Sequence, residues 1–457
     1  MNLAPAEIAA ALGARVVAQG EPGPPVRATI DSGATGAGDL FFGLRGANRD
    51  GGEFAAAAIE AGVWGVVLGP ERAAPAAAAS QARAAAGRGG AWVLVADDPL
   101  AAMQALARTW RRQLDARVLG VTGSVGKTSV KDIARALLPG RVHANRENLN
   151  TEIGLPLTVL EAPADTELLV LEMAMRGRGQ IAELGAIAEP DAAVITNVGP
   201  VHVELLGSVE AIAAAKAEIL AALPQGGTAI VPTAAAELEP HLGGADRLLR
   251  FGPGGDVEAV ESRVVEGVTE ALVRTPVGER RFHFPFAEAH NLTNALAAVA
   301  AGVALGADLA GMADRAAGIG FSRFRGERLQ LGDGIVLVND CYNANPVSMR
   351  AALDHLATLD APRTVAVLGE MGELGPGAPE FHREVGEHAR AAGVDLLLGV
   401  GLPARDYGPD ELVADPGEAA ELLAARLQPG DAVLVKGSRS AGLEAVATEL
   451  AELMGTA

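Results

Sequence analysis

The run Gly120-Val-Thr-Gly-Ser-Val-Gly-Lys-Thr128 gathers glycines, a lysine and a hydroxyl group in one short segment. It follows an apolar strand-like run, Arg117 to Val121, and opens a helix-like run, Lys127 to Leu138. A turn in that setting aims successive backbone N–H groups and the positive end of a helix dipole at an anion. Gly123, Ser124, Gly126 and Ser129 belong to the cradle. Lys127 supplies a mobile charge for terminal phosphates, and the Thr128 hydroxyl is suited to Mg²⁺. Gly120 comes one residue early for the general phosphate-loop spacing, which would put a glycine where Val121 stands.

Other residues could complete such a site. Glu172 closes the apolar run Glu167 to Leu171, at the strand edge where doubly wound sheets present ligand-facing groups. A carboxylate there can bind a hard cation and complement Thr128; the alternative, read alone, is a simple strand-end surface acid. His202 follows the strand-to-loop transition Thr196-Asn-Val-Gly-Pro200 and, read alone, is a hydrogen-bonding surface group or a metal ligand. Lys216 lies in the Ala-rich run Ser208 to Leu223, whose composition reads as a helix with a solvent-facing lysine. Asn291 and Asn294, three positions apart at the start of another helix-like run, can face the same side, and Asn291 could also cap it.

These residues need a scaffold, and the chain divides into three α/β regions, with boundaries expected at 1–98, 99–320 and 321–457. In the first, Asp31 to Leu44 reads as turns and a short strand, Phe54 to Gly62 and Ala73 to Ala86 as helices, and Trp64 to Leu68 and Ala91 to Ala96 as strands. In the second, a helix at Pro99 to Arg112 precedes strands at Arg117 to Val121, Glu167 to Glu172, Ala192 to Thr196 and Thr228 to Val231. Helices are expected around Gln180 to Ala186, Ser208 to Leu223 and His290 to Leu305. Apolar strands separated by helices argue for a parallel sheet covered on both faces. Leu248 to Phe286 reads as antiparallel strands beside it. The third region places strands at Ile335 to Val338, Thr364 to Leu368, Asp395 to Gly399 and Ala432 to Val435, with helices at Ser348 to Leu359 and Glu380 to Ala392.

Length and composition agree. At 457 residues the chain exceeds one core, and 49% hydrophobic with 21% charged residues is folded material. A net charge of -20, with no long Lys/Arg block, argues against nucleic-acid binding. Cys341 is the only cysteine, which excludes an intrachain disulfide and a thiolate-clustered zinc site and fits a reducing cytosol. The N-terminus lacks a basic segment followed by an apolar run, and apolar stretches such as Ala55 to Leu68 are too short to span a bilayer. A cytoplasmic, monomeric protein without obligate membrane association is expected.

The glycine turn, in its Gly-x-x-Gly-x-x-Gly-Lys-Thr form, resembles the variant loop of the ATP-dependent Mur ligases of peptidoglycan precursor synthesis. Supporting runs include Asn148-Leu-Asn-Thr-Glu-Ile-Gly-Leu-Pro156, Leu171-Glu-Met-Ala-Met-Arg-Gly177, Thr196-Asn-Val-Gly-Pro-Val-His202, Asn339-Asp-Cys-Tyr-Asn-Ala-Asn-Pro346, Leu368-Gly-Glu-Met-Gly-Glu-Leu374 and Val435-Lys-Gly-Ser-Arg439. The resemblance implies a central phosphate-loop parallel-sheet domain, a small N-terminal uridine-nucleotide-binding domain and a C-terminal Rossmann-like domain. It implies ATP and Mg²⁺ as cofactors, and ligation of D-alanyl-D-alanine to UDP-N-acetylmuramoyl-tripeptide through an acyl phosphate.

Residue by residue, the resemblance implies that Thr128, Glu172, His202 and a carbamylated Lys216 hold magnesium, with Lys127 catalytic. It implies that Asn291 and Asn294 approach adenine, that Arg325 completes the ATP site, in a register left open by Arg328, and that Asp340 meets the ribose. Asn148, Asn150, Thr151, Glu152, Met173 and Arg176 lie beside the muramoyl peptide on this reading. Tyr342, Asn343 and Asn345 lie on the second-substrate side, where composition alone gives an Asx-rich turn. Lys436, Ser438 and Arg439 orient the dipeptide carboxylate. Asp31-Ser32 and Asp39 to Gly46 resemble the uridine-nucleotide motifs, with Ser32 a contact, although Gly33 stands where the family commonly has arginine. Another Mur-type amino-acid ligase or a folyl-polyglutamate-like ligase is the nearest competing reading, disfavoured by the Tyr-Asn-Ala-Asn-Pro segment and the N-terminal motifs. A nucleotide-switched binding protein is the alternative from a different class.

Overall fold

The computed structural model describes residues 1–201 and 203–455. Residues Arg15 to Val95 form a five-stranded sheet in the order Arg15–Ala18, Trp92–Val95, Gly65–Leu68, Leu40–Phe42, Ala28–Thr29, parallel except for the first pair. Helices Ala55–Ala61 and Ala73–Ala85 cover one face, burying Ile59 and Ala76 against Phe41, Val66 and Val93. The other face does not meet water. Phe42, Val67 and Leu94 belong to a continuous apolar cluster with Met103, Leu106 and Trp110 of helix Pro99–Gln113, and with the helices of the next sheet. That helix starts as its sequence dictates: Asp98 accepts hydrogen bonds from the Leu100 and Ala101 N–H groups, and Pro99 occupies the first turn, where no donor is needed.

The central sheet has six parallel strands, in the order Arg247–Phe251, Thr228–Pro232, Ala192–Ile195, Arg117–Thr122, Leu168–Glu172, Val142–Ala144. Its interior strands are apolar throughout because both faces are covered. Helices Lys127–Leu137 and Ala289–Ala304 pack on one face, and Pro99–Gln113, Gly154–Glu161, Gln180–Ala188 and Val209–Ala217 on the other. Two expectations change here. Arg247–Phe251 reads as part of an antiparallel group, yet it pairs in parallel with Thr228–Pro232, because the intervening 3-10 turn Ala236–His241 carries the chain back across the sheet. Only Glu258–Val265, Val268–Thr275 and Gly278–Phe284 make the separate antiparallel sheet. The helix expected over Ser208 to Leu223 ends at Ala217 and continues as a 3-10 turn, Glu218–Ala222. Glu218 accepts from the N–H groups of Gly179 and Ala182, supplying the cap that helix Gln180–Ala188 lacks in its own sequence.

The third sheet runs Glu327–Gln330, Val336–Asn339, Ala432–Lys436, Thr364–Leu368, Leu396–Val400, Glu411–Val413, parallel except for the first pair. Helices Pro346–Ala357 and Ala378–Ala391 cover one face, and Pro416–Arg426 and Glu444–Met454 the other. The polar edge strand Glu327–Gln330 and the three-residue edge strand Glu411–Val413 lack the longer apolar runs that mark interior strands, so the sequence does not announce them. Asp132, buried on the helix that follows the glycine turn, accepts both the N–H and the hydroxyl of Ser322, tying this sheet's entry segment to the central one. Among the described residues no helix is long and apolar enough to cross a membrane.

Because Leu106 is fully buried in the cluster shared by the first two sheets, Leu106→Ala should cost about 2–5 kcal/mol. Denaturant unfolding followed by tryptophan fluorescence checks this; a loss below about 1 kcal/mol would contradict a shared core.

Candidate active site

Parallel pairing sets the ends of three strands side by side: Arg117–Thr122 lies between Leu168–Glu172 and Ala192–Ile195. The glycine turn, Glu172 and the Thr196 loop therefore leave the sheet at one edge. Gly123 has φ +152° and Gly126 φ +80°; a Cβ on the first would collide with the Thr196 hydroxyl, and on the second with the Asn294 amide. The turn is clamped from outside by Asn197, whose Oδ1 accepts from the Ser124 and Val125 N–H groups at 3.1 and 2.9 Å. Ser124 Oγ accepts from Gly199 N at 3.0 Å. Lys127 Nζ donates to Gly123 O at 2.9 Å.

Beneath the turn, the Thr128 hydroxyl donates to Glu172 Oε2 at 2.8 Å, and Asn150 Nδ2 donates to Oε1 at 2.8 Å. Lys131 Nζ stands 4.0 Å from Oε2 and donates to Asn145 O, while Asn145 Oδ1 accepts from Glu172 N at 2.6 Å. An isolated buried carboxylate costs several kcal/mol, so this surround is what lets Glu172, 2% exposed, remain inside. Burial holds the Lys127 ammonium below its ordinary pKa, Glu172 opposes that effect, and Arg325 adds to it. Burial first, and the charge of Lys127 second, pull Lys216 well below the ordinary lysine range. His202 lies outside the described residues. Among the described residues no group of three His, Cys, Asp or Glu side chains could hold a metal alone. The Thr128 hydroxyl and Glu172 carboxylate nevertheless suit Mg²⁺, which takes few protein oxygens and completes its shell with phosphate and water.

Two cavities meet at this turn. The smaller, about 390 Å³, contains Gly126, Thr128, Ser129 and Glu172, and is walled by Asn291, Asn294, Arg325 and Asp340. The larger, about 810 Å³, contains Asn148, Arg176, Tyr342, Ser438 and Arg439. Ser124, Lys127, Asn343 and Asn345 line both. Arg325 stacks over the Tyr342 ring at 4.2 Å, and its buried Nε has no hydrogen-bond partner, an orphan donor of the sort a ligand satisfies. Arg328, by contrast, is exposed on the edge strand.

Several expected contacts lie elsewhere. Met173 is fully buried in the core below the sheet, because strand alternation turns it away from the face that Glu172 presents. Lys436 is 2% exposed and donates to Asp340 Oδ2 at 2.6 Å, Asp340 O and Asn343 O, so its donors are spent holding that loop rather than reaching an incoming carboxylate. Thr151 and Glu152 lead into helix Gly154–Glu161 and line neither cavity; nor does Ser32, exposed on the first sheet beside the Asp31–Gly33 turn. Asn291 is not a cap, since Glu288 holds that position; it donates to Glu288 Oε2 and accepts from Asn294. Asn345 caps helix Pro346–Ala357 through a reciprocal pair with Ser348.

Sequence reasoning missed Asn197, although the run containing it stood out, and it missed Lys131, His290 and His355. His355 comes from the third sheet's first helix and lies 3.3 Å from Glu288. The partners of Asn197 and His355 lie far away in the chain, so nothing local marks those two roles.

The Mur ligase middle domain family matches residues 121–302, and the Mur ligase, glutamate ligase domain family matches residues 324–439. The chain belongs to the Mur ligase family. This Mur ligase is 38% identical, over 432 residues covering 90% of the chain and 89% of the relative, to the UDP-N-acetylmuramoyl-tripeptide–D-alanyl-D-alanine ligase of a Synechocystis species. Its fold matches a crystal structure of MurF from Acinetobacter baumannii at a TM-score of 0.88, with 27% identity and 99% of both chains covered. MurF from Thermotoga maritima, solved in complex with ADP, matches at 0.83 with 28% identity, over 93% of this chain and 97% of that one. Val121, where the general phosphate-loop spacing would put a glycine, is a buried residue inside the strand Arg117–Thr122.

Cys341 is buried, and desolvation pushes its thiol up to about 12, with Glu444 and Asp340 adding to the effect. At pH 8 it stays protonated, so iodoacetamide should leave the native Mur ligase unlabelled and label it once unfolded; rapid native labelling would contradict this placement. Gly126→Ala should abolish nucleotide binding in calorimetry while far-ultraviolet dichroism is retained, because both the positive φ and the Asn294 contact forbid a side chain.

Proposed function

We propose that this Mur ligase uses ATP and Mg²⁺ to join D-alanyl-D-alanine to UDP-N-acetylmuramoyl-tripeptide, completing the pentapeptide precursor of peptidoglycan. The observation that carries the reading is the meeting of two cavities at Lys127, one floored by the glycine turn and one large enough for a peptide. The kinship with tripeptide–D-alanyl-D-alanine ligases along nine-tenths of the chain supports the same substrates. We divide the chain at 1–98, 99–320 and 321–457, a reading supported by the separation of its three larger sheets, with the first domain holding the uridine nucleotide.

In this reading Asn291, Asn294, Arg325 and Asp340 hold the nucleoside side, and the turn holds the phosphates. Lys127 sits where the tripeptide's terminal carboxylate meets the γ-phosphate. Its charge offsets repulsion between two anions as an acyl phosphate forms and ADP leaves. Thr128 and Glu172, with His202 and Lys216, would hold magnesium, which when bound polarises the phosphates and neutralises charge on them. The dipeptide amine, entering through the larger cavity, attacks the acyl carbon; a tetrahedral species collapses to the amide and phosphate. Enclosure between the central and third sheets keeps water from the mixed anhydride. In the same reading Asn148, Asn150 and Arg176 are on the muramoyl-peptide side, with Tyr342, Asn343, Ser438 and Arg439 on the dipeptide side.

The depressed pKa of Lys216 supports its modification. A neutral amine can add CO₂, whereas an ammonium cannot, and the resulting carbamate would turn a buried cation into an anionic metal ligand.

A panel of muramoyl dipeptide plus diamino acid, muramoyl tripeptide plus D-alanyl-D-alanine, and folate plus glutamate tests the reaction. Phosphate release with pentapeptide mass should appear only in the second arm. Lys127→Ala should lower turnover by at least about a hundredfold without unfolding the chain; near-native turnover would remove its role. Lys216→Ala should lose activity, and the native enzyme should slow in bicarbonate-free buffer and recover when bicarbonate returns. A fully active Lys216→Ala enzyme indifferent to bicarbonate would exclude the carbamate.

A further inference from the structure

Helix Lys127–Leu137 begins at the glycine turn, so residues three and four positions after Thr128 lie on the same side of it. Those residues are Lys131 and Asp132, and both are buried, as is Glu172 on the neighbouring strand. The Lys131 ammonium is shared between the two carboxylates: Nζ stands 3.6 Å from Asp132 Oδ1 and 4.0 Å from Glu172 Oε2. A carboxylate inside a protein is costly unless it is paired and hydrogen-bonded, and packing alone would be served as well by an apolar side chain. Glu172 faces the smaller cavity, whereas Asp132 lines neither of the two cavities.

What Asp132 does hold is a distant piece of chain. Its Oδ2 accepts from Ser322 N at 2.8 Å and from Ser322 Oγ at 2.7 Å, across 190 positions in sequence. Ser322 opens the segment that divides the cavities: Arg323 and Phe324 line the larger one, Arg325 and Gly326 the smaller. Phe324 and Gly326 both have left-handed backbone, with φ +62° and +68°, so the direction in which Arg325 leaves the chain depends on where the segment starts. Its other end is fixed too, since Phe324 O accepts from Tyr342 N at 3.2 Å. Resting on the proposed function, we infer that Asp132 is a positioning residue for the ligase reaction: through Ser322 it registers Arg325 against the helix that carries Thr128. Lys131 makes that anchor tolerable by sharing its charge between Asp132 and Glu172. One helical turn thereby sets the distance between the phosphate cradle and the guanidinium contributed by the third region. A charged acceptor holding two donors is a stronger tie than neutral contacts of the same number.

A double-mutant cycle tests this, because residues that act as one unit do not lose function additively. Native enzyme, Asp132→Ala, Arg325→Ala and the double variant are compared in calorimetric ADP affinity and in kcat/KM for ATP. Asp132→Ala leaves Lys131 and Glu172 as a matched pair, so the fold should survive, and a thermal melt checks it. In the native background the substitution should lower both quantities at least about tenfold, as expected for lost hydrogen bonds to a charged group. In the Arg325→Ala background it should change them less than about twofold. Ser322→Ala, which keeps the N–H and removes the hydroxyl, should show a smaller loss with the same non-additivity, and Ser322→Thr should restore it. Equal losses in both backgrounds, or native affinity and turnover in Asp132→Ala, would overturn the assignment. Should Asp132→Ala unfold, the cycle of Ser322→Ala with Arg325→Ala decides in the same way. A native protein that binds ADP but joins no dipeptide would overturn the ligase reading instead, and the calorimetric cycle would still judge the anchor.

Discussion

Everything at this site depends on keeping one carboxylate, Glu172, buried at the end of a parallel strand beside a turn built to hold anions. Three neighbours make that tolerable: the Thr128 hydroxyl, the Asn150 amide and the nearby Lys131 ammonium. Removing any one partner from a buried charge costs more than the contact itself contributes, because the remaining group is left desolvated. The arrangement is therefore collective, and it explains why so many short-range polar contacts crowd between residues 124 and 199. The same geometry would make a bound Mg²⁺ a shared object, with the Thr128 and Glu172 oxygens supplying only part of what such a hard cation takes.

The second constraint is the joint between sheets. The smaller cavity is closed on one side by the central sheet's helix Ala289–Ala304 and on the other by Arg325, Asp340 and His355 of the third region. Asp132 and Ser322 fasten the joint close to the glycine turn, and Lys436 fixes Asp340 from within the third sheet. A site assembled from two bodies can admit two substrates and still exclude water once they approach, which an acyl phosphate requires.

Much of this was legible in the chain. Apolar strand runs followed by helices gave the parallel sheets, and the glycine turn marked its own strand and helix, because a strand buried on both faces and a phosphate cradle both demand particular residues locally. Legibility failed where demand was not local. The polar edge strand Glu327–Gln330 has one partner and no apolar signature. Met173 and Glu172 are neighbours in a motif, yet the pleat sends one into the core and the other into the site. Lys436 carries a charge that looks available until the fold surrounds it with Asp340 and Asn343.

The sequence by itself determined the local chemistry: an anion-holding turn whose glycines, lysine and hydroxyl stand side by side between a strand and a helix. Spacing along the chain is enough for that, since the turn and its helix are made by adjacent residues. Only the tertiary structure decided which side chains act together. It brought Asn197 against the turn, buried Lys216 until its charge became costly, set Arg325 rather than Arg328 in the cavity, and carried Ser322 to Asp132. Those outcomes depend on desolvation and on contacts between segments far apart in the chain, and neither is written in the order of the residues.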